Sequence, residues 1–425
     1  MRHGFAYLFE RFPSYLQLFC YREASEMLHQ GMHPQIYSIR EAEELPDAPL
    51  ALPGGASTLY LPDKEGLRKE VRQLAADRRI PKTLLPQLQT WGDAPDKRRL
   101  YEAAWLGPRL RSAGIHHVHC HFAGIAARTC FWLKRFFRIS FSFTGHANDI
   151  FCTTESPVTK DDLIEQARLI ATVSVFSAGQ LRTQYPSAAR KIHSVYNGID
   201  VDAIPTAHPA QARPTILSVG RLVEKKGYPI LIEACRSLKE WGVPHECLIV
   251  GEGPLREELE GQITRLGLQS SVRLLGAQPA EAIHGLLRES RLFALACVRE
   301  HDGGMDNLPT VITEAMAAAL PVVSTRLAGI PEQVRHQETG LLVEPGEPEP
   351  FAEALRELLE NPSRCCEMGK AGQLRARQFF SLQHTTRRLA RLLTRYGRIT
   401  PPWRAIGRDR QLAWQYLRRL CLPLA

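Results

Sequence analysis

The sequence predicts an α/β chain of two parallel-sheet domains, and three observations carry that expectation. At 425 residues the chain exceeds the usual size of one hydrophobic core, and its 44% hydrophobic content is enough for two. Strand-length apolar runs alternate with helical stretches in both halves, the pattern of βαβ units. Between the halves, Pro205-Thr206-Ala207-His208-Pro209-Ala210-Gln211-Ala212-Arg213-Pro214 has three prolines and no apolar periodicity, so it reads as a linker. The expected domains are 1–204 and 215–385, joined by 205–214 and followed by a basic helical tail, 386–425.

In the first half, strands are expected at 5–9, 35–39 and 115–119, with a helix over 22–30. Residues 61–112 are helix-rich and carry Trp91, Tyr101 and Trp105, an excursion whose place in the domain the sequence does not give. His117, His119 and His121 alternate along one strand and share a face, with His116 and Cys120 opposite. Zinc is disfavoured there, because three same-face ligands lack a second ligand cluster. Thr144-Gly145-His146 follows the apolar run 139–143, which puts His146 at a strand's carboxyl end facing a cleft. A satisfied loop histidine is the other reading.

In the second half, residues 215–220 form a buried strand that ends at Gly220 and opens into a basic loop with Arg221 and Lys226. Open α/β sheets bind ligands at such carboxyl ends. A strand at 247–250 runs into Gly251-Glu252-Gly253-Pro254, another at 292–296 runs into the loop of Asp306, and a fourth is expected at 321–324. One Gly-rich loop is weak evidence, whereas an ordered set converging on one sheet edge is strong. Residues 299–319 say most about function. There a polar loop with two glycines meets Pro309 and a helix-forming run, and Pro is tolerated in a first helical turn. Amides at a helix start favour an anion. Asp306 before the helix and Glu314 inside it would flank that anion with acceptors for hydroxyls, and a phosphate between two polyols is a nucleotide sugar. A capped surface helix with incidental acids is the plainer alternative.

The ten cysteines are scattered, several in apolar strands (Cys120, Cys247, Cys297), so disulfides are not expected. No signal peptide is recognised, and no apolar run approaches the ~20 residues that span a bilayer. The expectation is a cytoplasmic protein with reduced thiols, and nucleic acid is not expected as a partner. Residues 368–425 hold thirteen Lys or Arg against one acid, Asp409, a charge of +12; the rest of the chain carries 41 basic and 44 acidic residues, or −3. On a helical projection of 404–420, Arg404, Arg408, Arg418 and Arg419 share an arc opposite Leu412, Tyr416 and Leu420. That basic amphipathic pattern fits a helix packed on the N-terminal domain or one lying on an anionic membrane surface. The two are compatible if the basic face stays outward.

The chain resembles the retaining glycosyltransferases of family 4, which have the GT-B fold: two Rossmann-like parallel-sheet domains facing across a cleft. The resemblance covers roughly residues 5 to 395. It rests on Ser218-Val219-Gly220-Arg221 with Lys226-Gly227, Val250-Gly251-Glu252-Gly253-Pro254, Asp306 through Ala317, Gly329-Ile330-Pro331-Glu332 and Thr339-Gly340-Leu341-Leu342-Val343. The first half adds Phe143-Thr144-Gly145-His146-Ala147-Asn148-Asp149-Ile150 and Tyr196-Asn197-Gly198-Ile199-Asp200. The branch it looks most like builds exopolysaccharides and colanic-acid-type polymers.

The resemblance implies a nucleotide diphospho-sugar donor, a glycan or lipid-linked acceptor, no cofactor and no metal. It implies donor binding by Gly220, Arg221, Lys226, Gly251, Glu252, Gly253, Asp306, Asn307, Leu308, Pro309, Thr310 and Glu314. Of these, Arg221, Lys226, Asp306 and Glu314, with His146, would serve the reaction itself, and Ser14, Gln17, His121 and Asn197 would lie on the acceptor side. Asp306 stands where the family pattern has Glu, contacting the sugar; Glu314 takes the ribose position. In the first loop Leu16 and Leu18 replace two hydroxyl residues, implying a less polar acceptor entrance. Two other functions stay open: a catalytically weak nucleotide-sugar-binding subunit, and a sugar-nucleotide epimerase of similar fold. A dinucleotide dehydrogenase is disfavoured, since no Gly-x-Gly-x-x-Gly follows the first strand.

Overall fold

The structure, a computed structural model, describes residues 4–14, 17–42, 52–90, 96–151 and 156–399. Tyr15, Leu16, Trp91 and the segment 401–425 lie outside these. The first sheet contains β1 (Phe5–Arg11), β2 (Gln35–Arg40), β3 (Thr58–Tyr60), β4 (His117–His121), β5 (Ser140–Gly145), β6 (Leu169–Thr172) and β7 (Ile192–Ser194). Its order is β3-β2-β1-β4-β5-β6-β7, with every pair parallel. The second sheet contains β8 (Thr215–Val219), β9 (Glu246–Val250), β10 (Val272–Leu274), β11 (Leu292–Leu295), β12 (Val322–Thr325) and β13 (Gly340–Val343) in the order β10-β9-β8-β11-β12-β13, also parallel.

Each sheet is covered on both faces, and strand alternation divides its side chains between two cores. Along β1, Phe5, Tyr7 and Phe9 enter one cluster and Ala6 and Leu8 the other. Along β9, Cys247 and Ile249 part in the same way from Leu248 and Val250. Burial on both faces is why these strands read as nearly continuous apolar runs. The segment 61–112 becomes the helices Lys64–Ala76, Leu85–Thr90 and Lys97–Ser112, which pack beside the first sheet. Trp105 contributes apolar area there and donates from Nε1 to Glu70 Oε2 at 2.7 Å.

Both sheets reverse their strand order beside their first strand, between β1 and β4 and between β8 and β11. At each reversal the connecting chains leave in opposite directions and open a crevice at the strands' carboxyl ends.

The 205–214 stretch is irregular but not detached. Ala207 donates its N–H to the Ala318 carbonyl at 2.7 Å, and Ile199, Val201, Ile204 and Ala207 are buried in a core of the second domain. Four isolated apolar side chains cannot announce a period, so the sequence did not show this docking. A second connection runs alongside: Ile199 exchanges backbone hydrogen bonds with Phe380 and Leu382. From there the helix Leu382–Gly397 returns to the first domain and packs on β5, β6 and the helix Leu18–His29. It buries Thr385, Thr386, Leu389, Ala390 and Leu393, and leaves Arg388, Arg391, Arg395 and Arg398 exposed in a row of helical spacing. Among the described residues no helix is long and apolar enough to cross a membrane, and the eight cysteines form no disulfide.

Leu393 is fully buried in the core shared by this helix and the first sheet. Leu393→Ala is expected to cost about 2–5 kcal/mol, read as a lower guanidinium midpoint; a change under ~1 kcal/mol would mean the returning helix contributes little packing.

Candidate functional site

At the β8/β11 crevice two loops are locked together. Gly227 follows the loop after β8 with φ +65°, and a Cβ there would collide with the carbonyl oxygen of Ala296 at the end of β11. Only glycine permits both the left-handed turn and that approach. Val298 N–H donates to the Lys225 carbonyl at 3.0 Å, and Tyr228 Oη donates to the Gly220 carbonyl at 3.0 Å. Lys226 Nζ consequently lies 2.6 Å from Asp306 Oδ2, and Lys225 Nζ is 3.7 Å from Oδ1. Burial works against the Lys226 charge, but Asp306 and Cys297 together hold the ammonium above its ordinary pKa. Cys297 sits 3.9 Å behind Asp306, its thiol pushed up by burial and then by that carboxylate. Lysine has three donors, so the Asp306 contact leaves two for an anion.

The glycine loop after β9 joins the same edge. A Cβ on Gly251 would strike the Gly220 carbonyl, and Leu222 exchanges backbone bonds with Glu252 and Leu255. Gly253 packs against the Leu222 backbone. The Glu252 side chain is spent at the surface on Arg256, at 2.8 Å, and Arg221 is exposed. Beyond Asp306, Pro309 precedes the helix Thr310–Ala317; the Ile312 N–H donates to the Pro309 carbonyl at 3.2 Å, and the amides of Thr310 and Val311 before it lack intrahelical acceptors. Glu314 lies inside this helix and accepts from Arg22 Nη1 at 3.0 Å. Arg22 belongs to Leu18–His29 of the other domain, so this ion pair crosses the cleft.

A buried seam holds the cleft faces together. Asn307 is 3% exposed; its Oδ1 accepts from Ser174 Oγ at 2.6 Å, and its Nδ2 donates to the His146 carbonyl at 2.7 Å. Leu308 packs with Val173 and Phe380. Glu332 accepts from the N–H groups of Val175 and Phe176, both at 2.7 Å, and so caps the helix Val175–Gln184 from the opposite domain.

On the first sheet the histidines of β4 form a ladder against β5. His117 bonds Ser140 and Ser142 at 2.9 and 2.8 Å, and His119 bonds Ser142 and Thr144 at 2.7 and 3.0 Å. His121 bridges Glu23 Oε1 through Nε2 at 3.1 Å and His146 Nε2 through Nδ1 at 3.0 Å. Burial lowers His117 to about 3 and drives His119 well below its ordinary value, with the neighbouring histidines adding to the second shift. His121 is also opposed by burial, yet Cys20 and Glu23 raise it well above the usual imidazole range. Ligand atoms of Glu23, His119 and His121 lie within 4.8 Å of one another, but every ring nitrogen among them already has a hydrogen-bond partner. The group is complete as a hydrogen-bond chain, and no metal role is assigned to it.

The structure therefore gathers Lys226, Asp306, Asn307, Glu314 and His146 about one cleft, with His121 behind His146. Ser14 is buried in the loop after β1, its carbonyl accepting from Gln17 N–H, and Gln17 starts the helix that carries Arg22 and Glu23. Asn197 follows β7, three strands from β4. Its neighbours Tyr196 and Ile199 contact Phe380, and among the described residues no hydrogen bond joins it to the histidine chain. The chain's one Asp-x-Asp, Asp200-Val201-Asp202, also lies at this crossover: Asp200 accepts from the amides of Asp202 and Ala203, and Asp202 pairs with Arg377. Sequence reasoning missed Arg22, Glu23 and Ser174. The first two lie inside an expected helix with nothing local to mark them. Glu332 was visible in Gly329-Ile330-Pro331-Glu332, but not as a cap.

Comparison with known proteins agrees in both halves. Residues 23–203 match the family model described as Glycosyltransferase Family 4, and residues 201–375 match Glycosyl transferases group 1. Over 180 residues the chain is 37% identical to the amylovoran biosynthesis glycosyltransferase AmsK of Erwinia amylovora, covering 42% of this chain and 44% of that protein. Over 234 residues it is 33% identical to the putative colanic acid biosynthesis glycosyltransferase WcaL of Escherichia coli K12, covering 54% and 57%. The chain thus spans about half the length of these curated relatives. Two solved structures share the fold: a glycosyltransferase from Rickettsia africae (TM-score 0.70, 16% identity, 93% and 99% covered) and Anabaena Alr3699/HepE in complex with UDP (0.64, 17%, 92% and 99%).

The seam makes its own prediction. Glu332→Ala removes the acceptor of the Val175 and Phe176 amides and leaves the Ser174 side-chain cap on the Ser177 N–H in place, a loss of about 0.5–2 kcal/mol. Hydrogen exchange at the Val175 and Phe176 amides should accelerate while the strands of the second sheet keep their protection. Unchanged exchange at those two amides would contradict the capping role.

Proposed function

The chain belongs to glycosyltransferase family 4, and from that premise we propose that it moves a sugar from a nucleotide diphospho-sugar to a glycan or lipid-linked acceptor. We further propose that the anomeric configuration is retained and that the product is a bacterial surface polysaccharide, as the names of the amylovoran and colanic acid relatives suggest. The observation that carries the reading is the Lys226–Asp306 pair at the β8/β11 crevice, with Glu314 in the next helix and His146 across the cleft.

The chemistry asks for cations and hydroxyl acceptors in that order along the donor. As the bond between the anomeric carbon and the diphosphate breaks, negative charge grows on the diphosphate. The free N–H groups of Lys226, the Arg221 guanidinium and the first amides of Thr310–Ala317 stabilise it there. Asp306 accepts from sugar hydroxyls on one side of the phosphates and Glu314 from ribose hydroxyls on the other. The acceptor hydroxyl forms the new bond to the anomeric carbon on the leaving group's own face, and its proton passes to the diphosphate. No protein nucleophile is assigned, and the cationic role falls to side chains rather than a metal. The seam through Asn307 and Leu308 excludes water from the reacting centre.

The acceptor's location follows from charge. Exposed Arg388, Arg391, Arg395 and Arg398 form a basic row, and 401–425, outside the described residues, adds five arginines against Asp409. We assign this end of the chain to an anionic membrane surface, where a lipid-linked acceptor would be presented.

Two measurements test these assignments. Lys226→Ala removes a charge-assisted bond, so nucleoside diphosphate binding should weaken by about 1.5–3 kcal/mol while nucleoside binding changes little. Equal losses in calorimetry with the two ligands would contradict the phosphate role. Deleting 401–425 should reduce sedimentation with phosphatidylglycerol vesicles, in a manner suppressed by salt, and leave nucleotide binding intact. Unchanged sedimentation would remove the membrane assignment.

A further inference from the structure

Four histidines, His117, His119, His121 and His146, offer eight ring nitrogens, and seven have hydrogen-bond partners in the protein. The eighth, His146 Nδ1, is buried and has none among the described residues. Its ring is held in place. Phe19 and Phe122 flank it at centroid distances of 4.6 and 4.5 Å, the backbone N–H of His146 donates to Asp149 at 3.0 Å, and its backbone carbonyl accepts from Asn307 of the other domain. Buried polar atoms are almost always paired in native proteins, so an orphan in the cleft points to a ligand atom.

Which proton that nitrogen carries is decided two residues away. Glu23 Oε1 accepts from Tyr7 Oη at 2.7 Å and from His121 Nε2 at 3.1 Å. An ionised carboxylate only accepts, so His121 Nε2 carries a proton. One further proton lies in the 3.0 Å contact between His121 Nδ1 and His146 Nε2. If it sits on His121, that ring is an imidazolium and His146 keeps its proton at Nδ1, as a donor. If the pair instead holds one proton fewer, with His121 neutral and the shared proton on His146 Nε2, then Nδ1 of His146 is a bare acceptor.

The surroundings favour the first arrangement. The groups facing His121 are Tyr7 and Phe9 from β1, Cys20 and Glu23 from Leu18–His29, His119 on its own strand, and His146. Glu23 is the one among them carrying a formal charge, and among the described residues His121 is its ion-pair partner. A mostly buried carboxylate is stabilised by a cation at that distance. Against the opposing effect of burial, Cys20 and then Glu23 raise His121 well above the ordinary range, whereas burial and then His121 push His146 well below it.

We propose that Glu23 and His121 are positioning residues that fix the proton on His146, keeping it a neutral ring whose single N–H, at Nδ1, donates to an oxygen of the bound sugar. His146 then acts as a hydrogen-bond donor rather than a base. The identity of that oxygen rests on the glycosyltransferase reading; the proton arrangement does not.

The test is a two-bond ¹⁵N–¹H spectrum of the full chain labelled at histidine, assigned with His121→Gln and His146→Gln. At neutral pH the wild type should show His121 protonated on both nitrogens and His146 as the Nδ1–H tautomer. In Glu23→Gln the His121 charge should be lost at lower pH and His146 should shift to Nε2–H. Sugar transfer, which should fall as pH rises through the raised His121 value, should then lose its alkaline limb at lower pH and slow roughly ten- to hundredfold. A wild type with neutral His121 and Nε2–H on His146 would overturn the proposal, as would a Glu23→Gln protein with the tautomer and the alkaline limb unmoved. The wild-type spectrum decides the proton arrangement even if the variant does not fold or the chain transfers no sugar.

Discussion

The arrangement of the cleft depends on one buried amide. Asn307 uses its oxygen on Ser174 and its nitrogen on the His146 carbonyl, while its own carbonyl accepts from Gly329. It is chain neighbour to Asp306, so the residue that docks the domains also sets where the Lys226–Asp306 pair stands relative to His146. An amide suits the position because it donates and accepts at once, and neither a carboxylate nor an aliphatic side chain could satisfy both partners. The same seam explains Gly329: a side chain there would collide with the Asn307 carbonyl and with Ser174.

Around this seam, three acids among the described residues are each matched with a cation before any ligand arrives. Asp306 holds Lys226, Glu314 holds Arg22, and Glu23 holds His121. Pairing holds them in fixed rotamers, so ligand binding exchanges partners instead of ordering loose side chains, which is the physical content of preorganisation. The Arg22–Glu314 pair also links the cleft faces directly.

Much of the second domain was legible in the sequence because the signals are local. Apolar runs end at glycine or acid-rich loops, and the strands begin and end within about a residue of their expected limits. The shared face of His117, His119 and His121 also followed from period two alone. What the sequence did not show are pairings across large separations, such as Arg22 with Glu314 at 292 positions or Asn307 with His146 at 161. These depend on the docking of two domains, which is set by side chains buried between them and by the returning helix Leu382–Gly397. The sequence reading began its basic tail at 386, inside this helix, because charge composition changes gradually there while the backbone turns at Ser381. The Ile199–Ala207 docking was hidden for the opposite reason, since irregular backbone carries no period for its apolar residues to follow.

The most direct test of the central claim, that this cleft is built for a nucleoside diphosphate bearing a sugar, is thermal unfolding of the full chain against a panel of nucleotide sugars. A ligand that binds the folded state raises the melting temperature in proportion to its saturation. The account predicts that at least one nucleoside diphosphate sugar gives a saturable rise larger than that given by its free nucleoside. A panel covering the uridine, guanosine, adenosine and thymidine diphosphate sugars that leaves the melting temperature unmoved at millimolar concentration would contradict it.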